Sequence, residues 1–484
     1  VEHAISSRDD YRGGSRPGLL VIAVACAAAA AASVAIVWPA TSNTIILSGL
    51  GLGGLLLAAR RLYIFVTAFV AFMFVEGMVK NAYPYPVTFF LRDIFLTVIY
   101  LVWFVKYPLA RGLRGRYDKP ISLVVGAFVF YTLVVTIIPF TPDPLLYRLG
   151  GARWWLANIP LFFVGADVIN SRRRFDRLCY VFLGAAAVTG IYGVIQYWVG
   201  FDHLFAVSPH YKHIAAFGQW YGMDVDQALR RRVFSTFSVP AELAAAMHVA
   251  IVIAVAFITN VKKPGYKVIL IASLGLFFAA LAFTGSRTTY VPVLLSVAVF
   301  GLWCRRRKEL VAVALSLLAG IVVVLLMSRG VYLYRLTLVF TNYQYTLARI
   351  SWDWFRAVEL VEGHPFGLGI TASAKVGRIF AGQGWSSGFK FIENGYGAAL
   401  VSLGWPGLLL FVTTLLAVPA RLFQLGRVDW DRNWRTLFVF AFCLSMLLPM
   451  LTGMPLYTGL SPVCYWLMAG AASFLTRPEE SEEK

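Results

Sequence analysis

Long apolar runs separated by short charged segments repeat along nearly the whole chain. A helix crossing a hydrocarbon layer roughly 30 Å thick needs about 20 apolar residues, and "LLVIAVACAAAAAASVAIVW" (19–38) is one such run. The pattern predicts fourteen spans, near 19–38, 43–58, 62–79, 86–105, 121–139, 154–170, 178–199, 241–260, 267–284, 289–303, 309–327, 395–418, 435–452 and 456–475. Two stretches interrupt the rhythm, 200–240 and 328–394. Within the second, Leu347, Ile350, Trp354, Val358 and Val361 recur every three or four residues, while Arg349, Asp353, Arg356 and Glu359 take the opposite side. That spacing predicts a surface helix over 345–362, apolar side down in the headgroup plane, stopped by "GHPFGLG" (363–369).

The fold class that follows is an all-α polytopic integral membrane protein of about 14 transmembrane helices with two long outer loops. Three parts are expected: an amino-terminal bundle over 1–177, a core carrying both long loops over 178–420, and a closing pair of spans with a tail over 421–484. Composition agrees, with 59% hydrophobic and only 14% charged residues. The net charge of +19 suits nucleic acid until its location is considered. The basic clusters Arg8/Arg12/Arg16, Arg60/Arg61, 106–119, 172–177, 261–267, 305–308 and 421–435 all fall on one side of an alternating topology. Lys and Arg are retained in cytoplasmic loops, so the excess is a topology signal that places both termini in the cytoplasm, and no nucleic-acid partner is expected. The first span follows three arginines, as a signal peptide would, but it exceeds the usual apolar core of about 7–15 residues. It is read as an anchor. The five cysteines, Cys26, Cys179, Cys304, Cys443 and Cys464, are scattered, without a CxxC pair, and support neither a disulfide frame nor a zinc site.

Long outer loops are where chemistry is expected. Arg230, Arg231, Arg232, Arg287 and Arg349 fall on the translocated side, against the charge bias. Arg287 stands in "FTGSRTTY" (283–290), a connection of a few residues between apolar spans. A charge at the centre of a span costs about 2.5–3.5 kcal/mol, less near its end. Either these arginines snorkel to headgroups or pair with acids, or they grip an anion, for which the planar guanidinium is suited. Glu393 opens the apolar stretch "NGYGAALVSLGWPGLLLF" and has two readings. An acid at a helix N-terminus gains about 0.3–1 kcal/mol from the dipole, with Asn394 as the N-cap; a carboxylate there is also placed to take a proton. His203, His210 and His213 fit no standard zinc spacing, so no metal and no cofactor is expected. His248 reads as a packed polar group, and Arg92 and Asp93 either as a structural intramembrane pair or as lining of a cleft. Trp154, Trp155, Trp220, Trp352 and Trp385 suit interfacial belts, with sugar stacking open to some of them.

Three segments in order resemble the ligase/Wzy-polymerase superfamily, which comprises O-antigen ligases and polysaccharide polymerases. They are "RVFSTFSVPAELAAAM" (232–247), "LAFTGSRTTYVPVLLS" (281–296), and "ARISWDWFRAVELVEGHPFGLGI" (348–370) leading into "ENGYGAALVSLGWPGLLLF" (393–411). "GVIQYWVG" (193–200), with Gln196, matches a weaker feature, and the resemblance covers about 180–420. It implies a GT-C-like glycosyltransferase bundle using an undecaprenyl-diphosphate-linked oligosaccharide, without metal, on the periplasmic side of the inner membrane. Arg232, Arg287 and Arg349 would hold the donor diphosphate, Glu393 would be the catalytic base, and Asn394, Tyr396, His364 and Gln196 are candidate substrate contacts. Ligases resembling this chain carry histidine where Glu393 stands, which turns the expectation toward a polymerase of lipid-linked repeats, with a ligase as the alternative. Implied partners are lipid-linked donor and acceptor, the bilayer, and chain-length regulator and flippase proteins. A flippase is the competing function class, but transporters show internal repeats and midplane sites, and the polar residues here gather at one face.

Overall fold

Helices supply all the regular structure among the described residues of the computed structural model, namely 42–82, 86–109, 119–138, 144–208, 211, 232–304, 343–372, 392, 394–427, 429–430, 433–457 and 459–475. The expected spans at 19–38 and 309–327, both termini, Arg230, Arg231, His210, His213, Trp220, Trp385 and Glu393 lie outside them. Seven helices among the described residues are long and apolar enough to cross a membrane, and two shorter apolar ones accompany them. This is an all-α polytopic membrane protein.

The chain divides into two compact units, Val1–Ala68 with Asp93–Leu113, and Phe69–Arg92 with Arg114–Lys484. In the first, α1 (Ser42–Phe72) leaves helical geometry at Arg61, φ −137° and ψ 67°. Two helices therefore meet at the Arg60/Arg61 pair, where charge divides the apolar runs. Phe65 stacks on Phe95 of α3 (Pro86–Phe104) with ring centroids 5.5 Å apart. The short α2 (Glu76–Ala82) lies between them in sequence and belongs to the second unit.

That second unit is built around α9. The preceding helices are α4 (Lys119–Ile137), α5 (Leu145–Leu156), α6 (Leu161–Val168), α7 (Arg172–Val199) and α8 (Asp202–Val207). Then come α9 (Pro240–Asn260), α10 (Pro264–Phe283), α11 (Tyr290–Trp303), α12 (Tyr343–Val361), α13 (Gly395–Gly426), α14 (Trp434–Ser445) and α15 (Leu460–Leu475). α9 is apolar on every side, the mark of an enclosed helix, and it packs against α7, α10, α11, α14 and α15. Its His248 is fully buried, within 2.8 Å of Ser296 Oγ on α11, whose hydroxyl lies 2.6 Å from Ser445 Oγ on α14. The expected packed histidine is thus a polar tie among three helices. At the opposite end from the long loops, Asp176 of α7 takes both forks of Arg435 at 2.7 Å, joining two of the basic clusters.

Two expectations are corrected. "LLYRLGGARWWL", read mostly as connection, is the helix α5, and the expected span 154–170 is broken over 157–160. Pro160 has no N–H to continue the ladder, and tight Leu161 N to Asn158 O (3.1 Å) and Ile159 N to Leu156 O (3.2 Å) bonds replace it. Arg148 is consumed locally, its Nη1 donating to Thr136 O and Ile137 O at 2.9 and 2.8 Å, the last carbonyls of α4. The surface helix is present as α12, but it packs on α13. Ala357 and Val361 are buried there, whereas Leu347 and Val358 are exposed beside Trp352 and Phe355, so the expected face is divided between protein and surroundings.

α13 is also not one helix. Gly404 has φ +70°, and a Cβ there would lie 2.2 Å from Pro365 O. The groups this break releases are taken up from outside the helix. Trp405 N donates to Pro365 O (3.0 Å), Leu368 N donates to Val401 O (2.8 Å), and the Tyr131 hydroxyl donates to Leu403 O (2.7 Å). The "HPFGLG" turn is thus the plug of a broken helix, and Gly367 (φ +84°) permits it, since its Cβ would lie 2.5 Å from Gly404 N.

α6 and α15 cross at backbone contact. A Cβ on Gly470 would lie 1.8 Å from Phe162 O, and one on Gly165 would lie 2.1 Å from Leu467 O. Small residues let membrane helices approach this closely. Gly470→Ala should therefore lower stability by about 1–3 kcal/mol, seen as a lower unfolding midpoint in detergent. Gly126→Ala, with nothing within 4 Å of the added methyl, should be neutral or stabilise by about 0.5–1 kcal/mol.

Candidate active site

One end of the second unit gathers the irregular backbone. α10 stops at "TGSR": Thr284 N donates to Ala280 O and Leu281 O at 3.2 Å, and Gly285 (φ +63°) turns the chain in the left-handed region. Ser286 N is received by Thr284 Oγ1 at 3.1 Å, and a single 3-10 turn, Arg287–Thr289, leads into α11. The turn leaves the Thr284 carbonyl available, and Arg232 Nε donates to it at 3.0 Å. Val233 N donates to Phe283 O at 2.9 Å beside it. The structure thereby brings the Arg232 side chain onto the turn that carries Arg287. For Arg287 and Arg349 the backbone is described and the side chain lies outside the described residues. Arg349 sits on α12.

Residues 232–239 form a strap across the ends of α7, α2 and α10. Gln196, in the last turn of α7, is fully enclosed, and its Oε1 accepts from Phe234 N (3.1 Å) and Ser235 N (2.8 Å). Ser235 has φ +54°, the one non-glycine residue with positive φ among those described, and its hydroxyl donates to Thr189 O at 2.6 Å. The Thr236 hydroxyl donates to Phe74 O, and Met78 N donates back to Thr236 O at 2.6 Å. Contact with α2 is close enough that a Cβ on Gly77 would lie 2.2 Å from Ser238 N. On the other side Phe234 stacks on Phe201 (5.3 Å) and Tyr211 (6.3 Å). Burial pushes the Tyr211 hydroxyl up to about 12, so it stays protonated at neutral pH and donates toward Met78 O.

The second half of the site is the N-terminus of α13. Asn394 caps it, its side-chain oxygen accepting from Gly397 N, and the residue is fully buried. Gly395 N donates to Gly453 O at 2.9 Å, the Tyr457 hydroxyl donates to Gly395 O at 2.7 Å, and the Tyr396 hydroxyl donates to Leu447 O at 3.0 Å. Of the expected contacts, Asn394 and Tyr396 thus already hold backbone in place. His364 is exposed, at the start of the turn that fills the Gly404 break. That break lies nine residues along α13 from Gly395, about 13 Å at 1.5 Å per residue, so His364 and Asn394 are held at different levels.

The loop between α14 and α15 ties the two halves together, and the sequence pattern did not point to it. Its Gly453 receives Gly395, while Gly459 (φ +78°) would place a Cβ 3.4 Å from Glu242 Oε1. Glu242 itself accepts from Ser238 N at 3.1 Å through Oε2, closing the strap onto the first turn of α9. The signal available was Ser238 followed four residues later by an acid at a helix start, which resembles a capping arrangement. Among the described residues no group of three His, Cys, Asp or Glu comes together as a metal site.

Residues 271–412 match the family described as O-Antigen ligase. The resemblance to the ligase/Wzy-polymerase superfamily therefore holds, with the match running from α10 to α13 through the Thr284–Arg287 turn, α12 and the Asn394 cap. Arg232 and its strap lie outside the matched segment and reach it through Thr284. None of the curated proteins compared matches the chain significantly. The O-antigen ligase match supports a membrane enzyme of glycosyl-transferring type.

The cap gives a direct test of the second half. Asn394→Ala should cost about 0.5–2 kcal/mol, read as a lower unfolding midpoint. Asn394→Ser, which keeps an acceptor for Gly397 N, should recover most of it.

Proposed function

We propose that the protein polymerises undecaprenyl-diphosphate-linked oligosaccharide repeats into a surface polysaccharide, at the periplasmic face of the inner membrane. The observation that carries this reading is the Arg232–Thr284 bond, which sets a guanidinium on the Gly-Ser-Arg turn inside the O-antigen ligase segment. Two arginines at one bundle end suit a diphosphate, and Arg349 on α12 would complete the grip. An acceptor sugar hydroxyl attacks the anomeric carbon of the donor glycan. The new glycosidic bond forms as the bond to the diphosphate oxygen breaks, and the lipid diphosphate leaves with the electron pair. The hydroxyl proton passes to the Glu393 carboxylate, which later releases it to water. Charge grows on the diphosphate, where preplaced guanidinium groups stabilise it. Glu393 in place of the ligases' histidine favours a growing glycan as acceptor. Chain-length regulator and flippase proteins are the partners that such a reaction needs.

The purified protein in nanodiscs, given the lipid-diphosphate repeat unit, should produce a ladder of glycans on a gel. Arg232→Ala, Arg287→Ala and Glu393→Gln should each reduce the ladder by about 100-fold or more, the scale of losing one transition-state charge contact. A full ladder from these variants overturns the site. A single transfer to a lipid acceptor in place of a ladder identifies a ligase, and lipid movement between leaflets without transfer identifies a flippase.

A further inference from the structure

Arg232 lies on irregular backbone, so something other than a helix must fix where its guanidinium points. The Arg232 Nε bond to Thr284 O sets the plane of the group only if the strap behind it is rigid. One side chain supplies two of the strap's backbone bonds at once. Gln196 presents a single oxygen to two successive N–H groups, those of Phe234 and Ser235. Successive N–H groups converging on one point form a concave nest that otherwise receives an anion. Here an amide oxygen fills it, and in doing so it holds Ser235 at φ +54°, a conformation a serine does not keep without support.

The geometry beneath is equally specific. Gly193, one turn before Gln196, has Val233 Cγ1 and Ser235 Cβ at 3.3 and 3.5 Å from where its Cβ would stand. The strap therefore lies directly on α7, and Gln196 is its latch. The residue is fully enclosed, and its Nε2 is buried without a hydrogen-bond partner. An enclosed amide whose oxygen is taken twice by backbone is badly placed to touch a sugar.

We propose that Gln196 is a positioning residue for glycosyl transfer: it acts through Arg232, by locking the strap that aims this guanidinium at the donor diphosphate. The inference rests on the proposed role of Arg232 and is separable from it by experiment. Full-length protein in nanodiscs is assayed for kcat/KM on a polyprenyl-diphosphate-linked repeat. Gln196→Met removes the acceptor at nearly constant volume and should lower kcat/KM by about 10–100-fold, the range for a misplaced catalytic contact. Gln196→Glu keeps an oxygen for both N–H groups and should return to within several-fold of wild type. In an Arg232→Lys background, Gln196→Met should cost little further, because residues acting as one unit are not additive. Should Gln196→Met not assemble, Gln196→Asn, which withdraws the oxygen by one methylene, reads the same loss. An undiminished loss in the Arg232→Lys background, a Glu variant no better than Met, or no loss at all overturns the proposal. Arg232→Ala and Arg232→Lys both at wild-type turnover would instead overturn the diphosphate reading itself, and the proposal with it.

Discussion

A backbone N–H or C=O that leaves its helix within a bilayer finds no water to replace its partner. Three interruptions among the described residues show that constraint at work. Where α13 breaks at Gly404, three foreign groups arrive: Pro365 O, Leu368 N and the Tyr131 hydroxyl. Where α5 gives way to α6, tight turns through Asn158 and a proline without N–H reduce the number of groups to satisfy. Where the strap crosses, Gln196, Phe74, Glu242 and Phe283 divide its polar atoms among four elements. The irregular segments are consequently among the most tightly specified parts of the fold.

The same constraint explains why the candidate site lies where it does. Functional arginines cannot sit on a lipid-facing helix surface without cost, and a short turn between spans exposes few of its own carbonyls. The TGSR turn resolves both problems, since Gly285 reverses the chain and Thr284 offers a carbonyl that Arg232 occupies. The two long loops are thereby tied to the bundle at defined points, the first through Arg232 and Val233, the second through Pro365 and Leu368. Stability and the proposed chemistry depend on the same bonds, so a substitution in the strap is expected to affect both.

Much of this was legible from residues alone. Apolar periodicity located α4, α9, α10 and α11 to within about three residues, and the end of α7, because each is a continuous run bounded by charge or by Pro and Gly. The Arg60/Arg61 pair marked the break in α1, and Asn394 marked the cap of α13. What escaped was non-local. Nothing in "GHPFGLG" reveals that it fills a gap some forty residues later, because the demand for it is created by Gly404 rather than by its own composition. Gln196 was legible as a feature but not as a latch, since its two partners are N–H groups of the main chain. The α5 helix was missed because its apolar run is short and is interrupted by Arg148 and Arg153; Arg148 caps the end of α4.

The state of the α13 N-terminus bears on how the proposed reaction divides its labour. A helix N-terminus can itself bind an anion through its orphan N–H groups. Here two of the four such groups are engaged, that of Gly395 by Gly453 O and that of Gly397 by the Asn394 side chain. Tyr457 further fixes the Gly395 carbonyl. An end closed in this way is a poor anion hole and a rigid support. On the proposed reading, anion binding therefore falls to the arginines of the strap and the TGSR turn, and the capped helix supplies a fixed end at Asn394. Glu393 is the next residue in the chain, and for its proposed role as base, placement matters more than field, because a base must reach a single hydroxyl.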